Sequence, residues 1–147
     1  MRATSFWLLA CALSLVPALA GAGEPAAAAP RDGVFIHLTR GAEDPHRVLM
    51  ALNMASIMAE DHDVLVYFDI KGIEVVLHDS AEIAYAHFPT SRQQLAALPQ
   101  KGVILMACPG CLKAAGKAAA DLAPGVQIAD KSKFFSFTGG RILTLDY

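Results

Sequence analysis

Three short apolar runs, Val34–Leu38, Asp63–Phe68 and Val103–Ala107, constrain this chain more than any other feature. They are nearly continuous, where a half-exposed strand would alternate with polar residues. Such runs suit strands buried on both faces, as in a parallel sheet. Parallel neighbours need long crossovers, and helical patterns fill the intervals. Asp44 caps the first helix, Pro45 sits in its first turn where a missing N–H costs nothing, and the pattern runs to about Glu60. A second helix starts after Thr90 or Ser91 and runs through Leu98 to Pro99. A third spans Cys111 to Leu122, before Pro124-Gly125. Val126–Ile128 and Arg141–Leu145 add two short strands, the last reached through a Gly139-Gly140 turn. The sum is an α/β fold with a mostly parallel sheet of about five strands. Ile73–Leu77 is an apolar run of either type, and residues 131–138 fit no single class. Residues 79–90 lack a period and read as a loop over the surface or over a site.

The first helix carries Val48, Leu49, Met50, Leu52, Met54, Ile57 and Met58, and its polar residues share one narrow face. A helix this apolar cannot bury only one stripe. It is either thickly covered within the fold or faces another subunit.

The N-terminus reads as an export signal. Arg2 gives a positive start, Phe6–Val16 is apolar, and Ala18-Leu19-Ala20 is a small-x-small cleavage pattern. The apolar stretch is too short to span a membrane. Residues 1–20 are therefore expected to be a signal peptide, 21–32 a flexible Ala/Pro/Gly linker, and 33–147 one α/β domain in the periplasm. No membrane association is expected after cleavage. Lipid attachment at Cys11 is a lesser alternative. The formal net charge is −2 and no basic run stands out, which speaks against a nucleic-acid partner.

Cleavage would leave two cysteines, Cys108 and Cys111, in the stretch ILMACPGCLKAAGK. Cys108 ends an apolar strand. Pro109 suits the first helical position, and Cys111 lies one turn in. As the cap, Cys108 would place its sulfur at free N–H groups, which favour the thiolate, the reactive form. Lys113 and Lys117 could add positive potential. A structural disulfide is the bland alternative, but so short a loop gains little from closure. A zinc site needs about four ligands, and the five histidines show no ligand spacing. Soft-sulfur copper binding is a minority reading; no metal or other cofactor is expected. His37, Arg40 and His46 could face the cysteine turn, because loops after parallel strands share one edge. His87 could lie in a covering segment. For each, a solvated loop residue is at least as good an account. The CPGC turn resembles that of thioredoxin, yet it comes late in the chain, and no later proline has the strand context of a cis-proline loop.

Taken together, TRGAEDPHR followed by VLMALNMA, the strand-to-turn segment DVLVYFDIKGIEVV, the turn CPGCLKAAG and the closing strand resemble the DsrE/DsrF-like family, which includes sulfur-relay subunits of the Tus type. The resemblance covers roughly residues 33–147. It implies a three-layer α/β/α sandwich, assembly into homo- or hetero-oligomers, and a persulfide carried on the turn cysteine, which corresponds to Cys108. Relay members work in the cytoplasm, so an exported relative points instead to inorganic or protein-bound sulfane sulfur outside it. The expected function is a sulfane-sulfur carrier or transferase acting through Cys108, with Cys111 as a second thiol. A thiol–disulfide oxidoreductase using the same pair, or a non-catalytic subunit of a complex, are the alternatives.

Overall fold

A computed structural model describes residues 29–147. The expected signal peptide, Cys11 and most of the expected linker lie outside the described residues. Five strands form one sheet: β1 (Gly33–Leu38), β2 (Asp63–Phe68), β3 (Ile104–Ala107), β4 (Val126–Ile128) and β5 (Ile142–Asp146). Their order is β4-β3-β2-β1-β5 and every pairing is parallel. The helices are α1 (Pro45–Met58), α2 (Ser91–Ala97), α3 (Pro109–Ala114) and the single turn α4 (Lys133–Ser136). Among the described residues, no helix is long and apolar enough to cross a membrane.

Local chemistry sets the helix starts. The Asp44 carboxylate accepts the Arg47 backbone N–H at 3.2 Å, with Pro45 at the first helical position. Thr90 and Gln93 close a reciprocal capping box at α2. Val48, Leu49, Ala51, Leu52 and Ala55 then share one face of α1. They pack on the rows Val34/Ile36/Leu38 and Val64/Val66/Phe68, with Leu95 of α2 beside them. A fully buried side chain of this kind contributes about 1.5–3 kcal/mol. Of the largest fully buried side chains, only Leu65 and Met106 lie outside this cluster. Stability therefore resides chiefly on the α1 side of the sheet.

The opposite face carries Phe35, His37, Leu65, Tyr67 and Met106, by strand alternation and register. Its cover is thin. Phe134 of α4 packs edge-on against Tyr67, with ring centroids 5.1 Å apart, and against Phe35 at 5.7 Å. Phe135, Ile142 and Leu143 remain exposed. Among the described residues, the other exposed large apolar side chains are Ile70, Tyr85 and Ile57, the last on α1.

One sequence expectation changes and two undecided segments are resolved. The third helix does not run from Cys111 to Leu122: α3 ends at Ala114, and a separate 3₁₀ turn covers Ala119–Asp121. Gly116 takes the left-handed conformation (φ +67°), and the Gly116 and Lys117 N–H groups close back onto Lys113 and Leu112. This is the glycine stop of a helix, and it outweighs the helix-favouring alanines that follow. The undecided run Ile73–Leu77 lies largely in a 3₁₀ helix over Ile70–Val76, and α4 lies within 131–138. Gly72 is required where that 3₁₀ helix crosses β1, because a Cβ there would lie only 2.2 Å from the Leu38 carbonyl oxygen.

Candidate functional site: a cysteine turn backed by tyrosine

All five strands point the same way, so the ends of β1, β2 and β3 open onto one edge. Cys108 stands there as the N-cap of α3 (φ −62°, ψ 119°) with Pro109 next. Its sulfur accepts the Cys111 backbone N–H at 3.4 Å, and the Gly110 N–H also faces it. Because α3 has only six residues, these N–H groups act in place of a long helix dipole. Both cysteines are free thiols and half-buried.

The group that completes the site comes from β2. The Tyr67 hydroxyl approaches the Cys108 sulfur, short of a fully aligned hydrogen bond in the resting thiol. Partial burial pushes the Cys108 thiol up, but the Tyr67 hydroxyl, the Cys111 N–H, the Cys111 thiol and the Gly110 N–H outweigh it, and the net shift is downward. Burial, then the Cys108 sulfur and the Asp69 charge, hold the Tyr67 phenol above its ordinary range, so it keeps its proton and serves as a donor. The Ile70 N–H faces Cys111 and lowers its pKa. Burial, the Cys108 sulfur and Asp69 outweigh that, leaving Cys111 raised. Of the two thiols, Cys108 is the more readily ionised and Cys111 the one that keeps its proton.

Ile70 takes a positive φ of 48°, an outlier for a β-branched residue, with 66% of its surface exposed. Such strain costs about 1–3 kcal/mol and persists only where its surroundings impose it. Here the Gly72 N–H donates to the Asp69 carbonyl at 2.7 Å, and the tight turn aims the Ile70 N–H at Cys111.

His37 lies behind Tyr67, its ring stacked on the phenol with centroids 5.7 Å apart. Nδ1 meets Asp146 Oδ1 at 3.0 Å. Nε2 is 2.9 Å from Asp69 Oδ2 as a charge contact, and both Nε2 and the other Asp69 oxygen, Oδ1, are buried without a hydrogen-bond partner. Burial lowers the His37 pKa, but the two carboxylates more than reverse this and the net shift is upward. Arg40 and His46 lie apart from the thiols, in a cavity between the ends of β1 and β5. The segment 79–90 packs near α1, where Tyr85 stacks on His46 at 4.8 Å; His87 stacks on its neighbour Phe88 at 4.7 Å. Lys117 is engaged with Asp79 at 3.1 Å. Among the described residues, no three histidine, cysteine or carboxylate side chains are grouped to hold a metal ion.

Tyr67, Asp69 and Ile70 lie in the strand-to-turn segment DVLVYFDIKGIEVV, but the resemblance it carries gives them no role at the thiols. The one available signal was position: they end the strand that neighbours the cysteine-bearing one.

Comparison with known proteins agrees with this architecture. A protein of unknown function from Methanobacterium thermoautotrophicum, MTH1491, superposes with a TM-score of 0.56 at 21% identity, covering 78% of this chain and 99% of that one. The ychN protein of E. coli superposes with a TM-score of 0.60 at 14% identity and the same coverage. No curated protein matches the sequence significantly. The DsrE/DsrF-like family model matches residues 32–138, which is most of the described domain, and the chain belongs to that family.

Proposed function

We propose that the protein carries sulfane sulfur as a persulfide on Cys108. The observation that supports this most directly is the convergence of the Tyr67 hydroxyl and the Cys111 and Gly110 N–H groups on one half-buried sulfur. The Cys108 thiolate attacks the outer sulfur of a donor, forms a new S–S bond and expels the donor's remaining part as its anion. The same donors then face the negative charge of the persulfide. Membership of a family with sulfur-relay members supports the same reading.

Cys111 gives the site a second step. Its thiolate can attack Cys108 Sγ, break the persulfide bond and release hydrosulfide, leaving a Cys108–Cys111 disulfide for an external dithiol to reduce. A raised Cys111 pKa slows this at neutral pH and preserves the carried sulfur. The signal-like N-terminus points to a periplasmic protein, and the exposed Phe135, Ile142 and Leu143 to assembly into an oligomer. N-terminal sequencing of the exported protein and light scattering test those two points.

Intact-mass measurement after thiosulfate or polysulfide treatment tests the carrier role. The reduced wild type should gain sulfur-atom masses, Cys108→Ser none, and Cys111→Ser should gain and retain them. Uptake by Cys108→Ser equal to wild type would refute the reading. A disulfide that forms without any sulfur uptake would favour the oxidoreductase alternative, which rests on the Cys111 thiol facing Cys108.

A further inference from the structure

The connections β1 to β2, β2 to β3 and β3 to β4 all step in one direction across the sheet, while β5 lies on the other side of β1. The order therefore reverses between β1 and β5. In open α/β sheets a crevice opens at the carboxyl ends of the strands at such a point, and ligands bind there. This chain has a cavity of about 560 Å³ at that place, within the range of small-molecule sites. Thr39 and Arg40 line it from the end of β1, His46 and Arg47 from the first turn of α1, and Asp146 and Tyr147 from the end of β5.

The charges there are unevenly committed. Glu43, whose carboxylate feels Arg40, pairs with Lys71 at 3.9 Å. Arg47 pairs with the cap, Asp44, at 3.5 Å. Asp146, the carboxylate side chain on the wall, is drawn to His37 at 3.0 Å. Arg40, His46 and Arg47 thus line the cavity, Arg47 beside the Asp44 carboxylate, opposite an Asp146 that is engaged with His37. The Asp146–His37 contact, and the stacking of His37 on Tyr67, connect this wall to the cysteine site.

We infer that this cavity holds the carboxylate-bearing tail of a low-molecular-weight thiol persulfide that delivers sulfur to Cys108. The inference rests on the carrier reading above and names its donor class. Cys108 ends β3, two strand spacings or about 10 Å from β1. In a γ-glutamyl tripeptide the central sulfur and the glutamyl carboxylate are separated by a chain that extends to about 10 Å, so a donor of that kind can reach from Cys108 to the β1 wall of the cavity. The Cys108 thiolate attacks the outer sulfur of R–S–SH, the inner S–S bond breaks, R–S⁻ leaves with the electron pair, and Cys108–S–SH forms. No net oxidant is needed.

The binding test uses S-methylglutathione, which cannot transfer sulfur, titrated calorimetrically into the full-length Cys108→Ser protein. Saturable binding weakened about tenfold by Arg40→Gln is expected, the usual loss for one charged hydrogen bond. In protein with both cysteines, Arg40→Gln should raise the glutathione persulfide concentration that half-saturates the single-turnover loading rate, leave the maximal loading rate unchanged and leave loading by 2-mercaptoethanol persulfide unaltered. Arg47→Gln is the second variant should Arg40→Gln fold poorly. Absent binding, or binding indifferent to both arginines, with Cys108 still loading sulfur, would overturn the cavity's role and spare the carrier reading. Arginine-dependent binding without any loading of Cys108 would overturn the carrier reading and the donor assignment with it.

Discussion

Replacing Tyr67 with phenylalanine removes one oxygen and keeps the ring that packs against Phe134 and His37. What is lost is the hydroxyl that approaches the Cys108 sulfur. A hydrogen bond to a charged group is worth about 1.5–3 kcal/mol net. Cys108 is only half-buried, so water competes and the lower end applies. One pKa unit corresponds to about 1.4 kcal/mol. The Cys108 pKa should therefore rise by about one unit in Tyr67→Phe, leaving about tenfold less thiolate at any pH below the midpoint. The assay is the rate of iodoacetamide alkylation against pH in a Cys111→Ser background of residues 29–147, where Cys108 is the thiol that reports. The Cys111 backbone N–H survives that substitution, so the other main donor is unchanged. A profile whose midpoint moves by less than about 0.3 unit would refute the argument, since the N–H groups alone would then account for the thiolate.

Other outcomes follow from the same geometry. Gly72→Ala should destabilise the fold by about 1–3 kcal/mol, because its Cβ would meet the Leu38 carbonyl oxygen; urea denaturation would show a lower midpoint at unchanged slope. Ile70→Asn should stabilise by about 1 kcal/mol, since asparagine tolerates the left-handed conformation and the lost side chain is mostly exposed; thermal unfolding checks this, and a fall in Tm would mean that Ile70 packs usefully. His37 has a folded pKa above its unfolded value, so its pairing with Asp69 and Asp146 stabilises fully below the unfolded pKa of about 6.5 and is lost as pH rises through the raised value. Stability measured from pH 6 upward should fall more steeply in the wild type than in His37→Gln. Once loaded, Cys111→Ser should hold its persulfide as pH is raised, while the wild type releases hydrosulfide, measured colorimetrically.

The parts of this protein legible in its sequence are those governed by local chemistry. Strand positions follow from apolar runs, α1 from the Asp44-Pro45 start, and the Cys108 turn from a strand meeting Pro109-Gly110. Each depends on residues within a few positions of one another. The length of α3 was also locally encoded, in Gly116, but the alanines after it masked the stop.

The partners of Cys108 were a different matter. Tyr67 and Cys108 lie on adjacent strands because β2 pairs with β3, and His37 meets Asp146 across 109 residues because β5 joins the sheet beside β1. Strand order is set by which apolar faces and crossovers pack best over the whole chain, and no local pattern encodes it. The sequence by itself determined the α/β class and placed two thiols at a strand end. Tertiary structure alone decided that a tyrosine backs one thiol, that a strained isoleucine turn faces the other, and that two arginines line a cavity where the strand order reverses.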